Sequence, residues 1–278
     1  MDQRSELAET FASSYAVGEQ LGQGCFGSFL KGRRISDGLQ VAVKIVAKQK
    51  SHRYFQNSDW TKTIPAEVAL MQMVNQPPTC PNIIQLIEWF DEPDHYILVL
   101  ELPNNCRDLW GYLDLFGGSV KEDIARKIML QAVQAASQCL KQGVLHQDIK
   151  LQNFLINMDT SEVKLIDFGC ADKINRAEYV CSSEEDSLKR KYKAGPATAW
   201  ELGILLYRMV YGCRTFAGMP LCSILMKPSL STVKISGSIL QNSTIFKLCL
   251  KLLSKYENLY KKVLQKLKAE IRARRNET

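Results

Sequence analysis

The chain has 278 residues, 46% of them hydrophobic and 23% charged, with a formal net charge of +7. That length and balance can bury a substantial core and exclude a disordered or collagen-like chain. The polar opening MDQRSELAET does not read as a secretory leader, and no apolar run reaches the ~20 residues that span a bilayer.

The first hundred residues read as short strands. Ser14–Leu21, Ser28–Arg34 and Leu39–Val46 carry alternating or apolar β-type residues, with turns at Gly22–Gly27 and Asp37–Gly38. A helix is expected over Pro65–Val74, where proline suits the first turn and Val68, Met71 and Val74 form one face. Strands are expected at Ile83–Phe90 and Tyr96–Glu101. After Asn105 the pattern becomes helical, with helices over Asp123–Lys141 and Trp200–Tyr211. This order predicts an α+β fold of two lobes, β-rich then α-helical, meeting near Glu101–Asn105. From Leu252, apolar residues at Tyr256, Tyr260, Val263, Leu267 and Ile271 alternate with Lys and Arg. A final amphipathic helix with a solvated basic face accounts for that pattern, so neither nucleic acid nor membrane is expected as a partner. Nine cysteines without a CxxC pair, and three histidines without zinc-ligand spacing, point to free thiols in a reducing compartment, cytoplasmic or also nuclear. A monomer is the default expectation.

The chemistry-bearing residues come in a fixed order. Leu21, Gly22, Gln23, Gly24, Cys25, Phe26 and Gly27 contain a GxGxxG pattern between two strands. A dinucleotide fingerprint runs from strand into helix instead. In a hairpin, glycines let backbone amides close over phosphates, although a tight turn would use them equally well. The β-type run Val41-Ala42-Val43-Lys44 then ends in a lysine on an apolar strand, which requires a partner. Glu67, in the first turn of the expected helix, or the phosphates of ATP would serve, and a snorkelling surface lysine is the alternative.

The stretch His146-Gln147-Asp148-Ile149-Lys150-Leu151-Gln152-Asn153 is the most informative. Asp148 can accept a hydroxyl proton, Lys150 can neutralise a phosphoryl group, and Asn153 can ligate magnesium. Lys164-Leu165-Ile166-Asp167-Phe168-Gly169 adds an apolar strand ending in DFG, whose Asp167 would bridge magnesium to phosphates. Two carboxylates, an amide and two lysines suit phosphoryl transfer, which depends on positioning and charge neutralisation. At roughly one in ten to one in twenty per residue type, the ordered set Gly22, Gly24, Gly27, Lys44, Glu67, Asp148, Asn153 and Asp167 has chance odds below about one in a hundred million.

Over Tyr15 to Gly212 the chain resembles protein kinases, and among them the Pim serine/threonine kinases. The resemblance rests on the glycine loop, VAVK, IPAEVALM, IIQLIEWFDEPDHYILVLELP and WELGILLYRMVYG. It implies a kinase domain over 15–278 after a tail at 1–14, with an N-lobe at 15–101, a hinge at 101–105 and a C-lobe from 106, atypical after about 213. It further implies Mg-ATP and Ser/Thr-bearing protein substrates, Lys150 favouring Ser/Thr over Tyr. Catalysis falls to Asp148, Lys150, Lys44 and Glu67, and magnesium to Asn153 and Asp167. ATP would lie against Leu21 to Gly27, Phe29, Ala42, Lys44, Leu100, Glu101, Pro103, Leu155 and Ile166. Pro103, a Pim-like trait, has no N–H to offer adenine, leaving the Glu101 carbonyl and apolar walls.

The departures are also specific. Gln147 replaces the usual arginine, and Asp167 to Cys181 contains no Ser or Thr, so activity without phosphorylation of that segment is expected. The stretch to Glu185 is shorter than in the family, and Ser183-Glu184-Glu185 stands where APE is expected. Lys255-Tyr256-Glu257-Asn258 stands where the glutamate's arginine partner is expected. Phe29 replaces a valine over adenine and narrows that pocket. Asp108 matches the family's acidic peptide platform, whereas Gly111, Leu151 and Gln152 do not, which implies weakened selection for Arg-rich peptides. An ATP-binding pseudokinase scaffold remains the alternative.

Overall fold

The computed structural model describes residues 11–24, 27–56, 63–174, 179–180, 191–192 and 194–212. Cys25, Phe26, Glu185 and everything from residue 213 lie outside the described residues, as does the side chain of Gln23. The expected final basic helix therefore lies outside the described residues.

A one-turn helix α1 (Phe11–Ser14) leads into strands β1 (Tyr15–Gly24), β2 (Gly27–Arg34) and β3 (Gln40–Ala47). A small hairpin of β4 (Tyr54–Gln56) and β5 (Thr63–Pro65) precedes helix α2 (Ala66–Val74), followed by β6 (Leu86–Asp91) and β7 (His95–Glu101). The antiparallel sheet runs β1-β2-β3-β7-β6. Successive strand side chains face opposite sides, so β3 divides cleanly. Val41 and Val43 join Phe11, Tyr15, Ile97 and Val99 on the outer face. Ala42 and Val46 belong to the inner cluster with Leu98 and Leu100, and the same period puts Lys44 on that inner side. Burying each such valine or leucine stabilises by about 1.5–3 kcal/mol. Phe11 stacks on Tyr15 with centroids 5.5 Å apart, and both meet Phe90 edge-on, which closes the outer cluster.

Helix α2 has no side-chain cap at Pro65. The Arg53 carbonyl instead accepts its first amide, that of Ala66, at 2.9 Å. Val68, Leu70, Met71 and Val74 are buried, and Glu67 is buried with them.

The second lobe starts with β8 (Cys106–Asp108) and α3 (Leu109–Asp114). The long helix α4 (Glu122–Lys141) follows, with Glu122 and Asp123 at its positive end and an alanine-rich buried face. Strand β9 (Val144–Leu145), a 3-10 turn (Leu151–Asn153), β10 (Phe154–Asn157), β11 (Val163–Leu165) and β12 (Asp172–Lys173) follow, pairing as β11-β10-β8 and β12-β9. The strand pair β13 (Tyr179–Val180) and β14 (Lys191–Tyr192) precedes α5 (Ala194–Tyr211), which packs on α4. Among the described residues no helix is long and apolar enough to cross a membrane.

Two expectations need correction. Residues 83–85 are not part of the strand, which begins at Leu86. Ile83 bridges in parallel to Leu165, and the Ile84 amide donates to the Leu165 carbonyl, so this stretch serves the second lobe instead. Helix α5 begins at Ala194, not Trp200. Proline in its first turn costs no hydrogen bond there, so Pro196 does not delay the start.

Candidate active site

Lys44 projects from β3 into the interior, 1% exposed, with Nζ 2.6 Å from Glu67 Oε1 and 2.8 Å from Asp167 Oδ1. The helix start supplies Glu67, and the loop after β11 supplies Asp167. Burial by itself works against the ammonium, but the two carboxylates more than offset it and lift Lys44 above its usual pKa. Burial likewise opposes the Asp167 carboxylate, yet Lys44 and the Gly169 amide hold it below its ordinary range. Lys44 and Asp167 thus favour their charged forms, whereas at Glu67 burial outweighs the neighbouring ammonium and raises the pKa. Asp167 sits at φ 61, a left-handed conformation that a non-glycine residue adopts only under constraint.

The other side of the candidate site is built around Asp148. Asn153 Nδ2 donates to the Asp148 carbonyl and to its Oδ2, both at 2.8 Å. Lys150 Nζ lies 2.6 Å from the same Oδ2. The Ile166 amide donates to the Asn153 carbonyl at 2.9 Å, which brings Asn153 and Asp167 to the same end of the β10–β11 pair. His146 connects the two loops. Its Nε2 donates to the Ile166 carbonyl at 3.1 Å, and its Nδ1 accepts the Asp148 amide at 3.4 Å. A carbonyl can only accept, which assigns the tautomer, and burial keeps the ring neutral by lowering its pKa. Its ring meets Phe168 edge-on at 4.9 Å.

The glycine loop gives two different answers. A Cβ on Gly27 would meet the Ile45 carbonyl oxygen at 2.3 Å, so this glycine is required by the close approach of β2 to β3. A Cβ on Gly22 would meet nothing within 4 Å, so the fold alone does not demand glycine there. Gly22→Ala is expected to melt within about 1 °C of wild type, as at other unstrained surface sites, but to raise KM for ATP several-fold. Gly27→Ala should lower Tm by at least about 5 °C. Thermal melts and ATP titrations of the two variants check this.

Ala42 and Leu100 are buried cross-strand partners on the inner face. Leu155 and Ile166 are half-buried, and Leu21 is exposed. Glu101 Oε1 takes the Lys164 ammonium and the Gln85 backbone amide, both at 2.9 Å, which ties its side chain to β11 and to the stretch before β6. Half-buried Pro103 follows without an N–H. Phe29 pairs with Lys44 across β2 and β3, and its ring centroid lies 5.4 Å from the ammonium. Its ring therefore borders the lysine end of the cleft. Asp108 Oδ1 accepts the Gly111 amide at 2.6 Å and so caps α3. That commits one of its oxygens to the fold instead of to an acidic platform.

Magnesium takes hard oxygen ligands, usually one or two carboxylates with phosphates and water. The donor set fits: Asp167 offers a carboxylate and Asn153, whose amide nitrogen is spent on Asp148, offers a carbonyl oxygen. Among the described residues no group of three His, Cys, Asp or Glu could hold a metal ion.

Two groups carried no recognisable sequence signal. Arg53 reaches across the cleft to Ala171 and Asp172. Glu201, buried on α5, accepts the Ile149 amide beneath the catalytic loop, and burial lifts its pKa from 4.5 to about 8. The folded chain thus holds a proton that the unfolded chain releases. The associated stability is full below pH 4.5 and is lost as pH rises through about 8. Between pH 5 and pH 9, thermal melts of Glu201→Gln should gain roughly 5 °C on wild type, because the amide keeps the neutral form.

A protein kinase domain model matches residues 15–270. Serine/threonine-protein kinase pim-2 of Danio rerio is 35% identical over 216 residues, covering 73% of this chain and 69% of that protein. Serine/threonine-protein kinase prk-2 of Caenorhabditis elegans is 28% identical over 209 residues, 73% of this chain and 46% of that protein. Sperm motility kinase 2B of Mus musculus is 29% identical over 212 residues, again 73% of this chain, and 41% of that protein. The chain thus spans less than half the length of the latter two relatives.

Proposed function

The chain belongs to the protein kinase family, and from that premise we propose that it is a Pim-type serine/threonine kinase acting on protein hydroxyls. The observation that carries this reading is the buried Lys44 ammonium held by Glu67 and Asp167, with Asp148 and Asn153 across the same cleft. The 35% identity to a pim-2 kinase and the hinge Pro103 support the Pim assignment. DIKxxN at Asp148–Asn153 supports Ser/Thr as acceptors by resemblance.

In the proposed reaction, Lys44 holds the α- and β-phosphates of ATP while Glu67 keeps the ammonium in place. Asp148 orients the acceptor hydroxyl and takes its proton as the oxygen–phosphorus bond forms. The bond from the γ-phosphorus to the bridging oxygen breaks, and ADP leaves. Lys150, next to Asp148 Oδ2, faces the charge on the group in transit. Asp167 and Asn153 would hold magnesium, which would supply charge neutralisation on the phosphates.

The segment from Asp167 to Cys181 contains no Ser or Thr, which supports activity independent of phosphorylation at such residues there. In the same reading the two lobes meet at 101–105. Transfer of radiolabelled γ-phosphate to a degenerate Ser/Thr peptide library tests the reading. Labelled Ser and Thr, with weak arginine selection, is the result expected. A folded protein that binds ATP and transfers nothing would make it a nucleotide-binding scaffold.

A further inference from the structure

Arg53 lies in the loop between β3 and β4, outside every motif that carries the site, yet its contacts run to three places. Its carbonyl accepts the Ala66 amide at 2.9 Å, the first N–H of α2. Its Nη2 donates to the Ala171 carbonyl at 2.6 Å. Its Nη1 lies 2.8 Å from Asp172 Oδ2. Ala171 and Asp172 directly follow Asp167-Phe168-Gly169, and Asp172 opens β12, which pairs with β9. Strand β9 runs into His146 and Asp148. One residue thus joins the start of the helix that carries Glu67 to the strand pair that delivers Asp167 and the catalytic loop.

We propose that Arg53 is a positioning residue that sets the segment after Asp167 against α2, so that Glu67 and Asp167 meet on Lys44. The inference rests on the kinase reading only for its effect on rate. A guanidinium suits the task because its planar fork takes a carbonyl and a carboxylate at once, whereas an ammonium on a flexible stem holds one acceptor at a time. The two carboxylates on Lys44 come from different lobes, and small displacements of such groups are expensive for transfer. The Arg53 and Asp172 side chains are 45% and 27% exposed. Replacing them leaves no buried charge behind, so the variants are expected to fold.

The test uses the full chain as wild type, Arg53→Ala, Arg53→Lys, Asp172→Ala and the Arg53→Ala/Asp172→Ala pair. Amide hydrogen exchange and phosphoryl-transfer rates are both measured. In Arg53→Ala, exchange should rise roughly tenfold at residues 66–69 and 169–174 while α4 and β10 stay unchanged. A rate about tenfold below wild type should accompany it, with Arg53→Lys intermediate and the pair no worse than Arg53→Ala. General loosening would raise exchange in α4 and β10 as well, and that result overturns the proposal. So does unchanged exchange at 169–174, or an unchanged rate where wild type is active. If wild type transfers no phosphate, exchange alone decides: the local pattern then upholds Arg53 as a positioning residue while the kinase reading falls.

Discussion

Asp148→Asn is expected to lower phosphoryl transfer by about 10³-fold and to leave ATP affinity within a few-fold of wild type. The substitution keeps size and shape. Its amide oxygen can still accept from Asn153 Nδ2, which now donates to Asp148 Oδ2 at 2.8 Å. The basic oxygen is lost, and with it the 2.6 Å ion pair to Lys150. Without it the acceptor proton has no group to go to as the new bond forms. Positioning and charge neutralisation by the remaining residues account for the residual rate. Initial rates with radiolabelled ATP, calorimetric ATP binding and a thermal melt separate the three quantities. A variant that keeps more than about a tenth of the wild-type rate would show that another group takes the proton.

Lys44→Met should damage both chemistry and stability. Transfer is expected to fall by at least about 100-fold, because the cation at the phosphates is gone. The stability loss has a separate origin. Lys44 is 1% exposed and Glu67 6%, so methionine leaves two carboxylates facing an interior without their counter-ion. Removing one partner of a buried ion pair costs about 3–5 kcal/mol. Protonating a carboxylate relieves that cost. The deficit should therefore be largest at pH 8 and shrink toward pH 5, as Glu67 and Asp167 lose the ammonium that favoured their charged forms. Urea unfolding at the two pH values measures it. Adding Glu67→Leu to Lys44→Met should recover part of the loss, since the second change removes one stranded charge. Equal stability of Lys44→Met and wild type at pH 8 would contradict the structural role of the triad.

Much of the site is legible in the sequence because its residues cluster in short runs whose chemistry is rare in combination. Asp148, Lys150 and Asn153 fall within six residues, Asp167 follows the apolar pair Leu165-Ile166, and Lys44 follows the apolar run Val41-Ala42-Val43. The two-residue period of β3 already places Lys44 and Ala42 on one face. The same period also makes 83–90 look like one strand, although its first residues pair with β11 in the other lobe. Asp108 reads as a surface charge, and its role as a helix cap depends on where the Gly111 amide falls.

By itself, then, the sequence determined the β-rich then α-helical order of the chain and the residue types of the candidate site, since these follow from periodicity and local chemistry. Only the tertiary structure decided which groups meet. Lys44 and Asp167 are 123 residues apart, and Arg53 and Ala171 are 118 apart. No local pattern encodes such a pairing. The packing of α2 against the sheet brings Glu67 to Lys44, and the β9–β12 pair presents Ala171 and Asp172 to Arg53. Burial at α5 moves Glu201 far from its ordinary pKa. The physical reason is common to all three: charge partners and low-dielectric surroundings are properties of the assembled core.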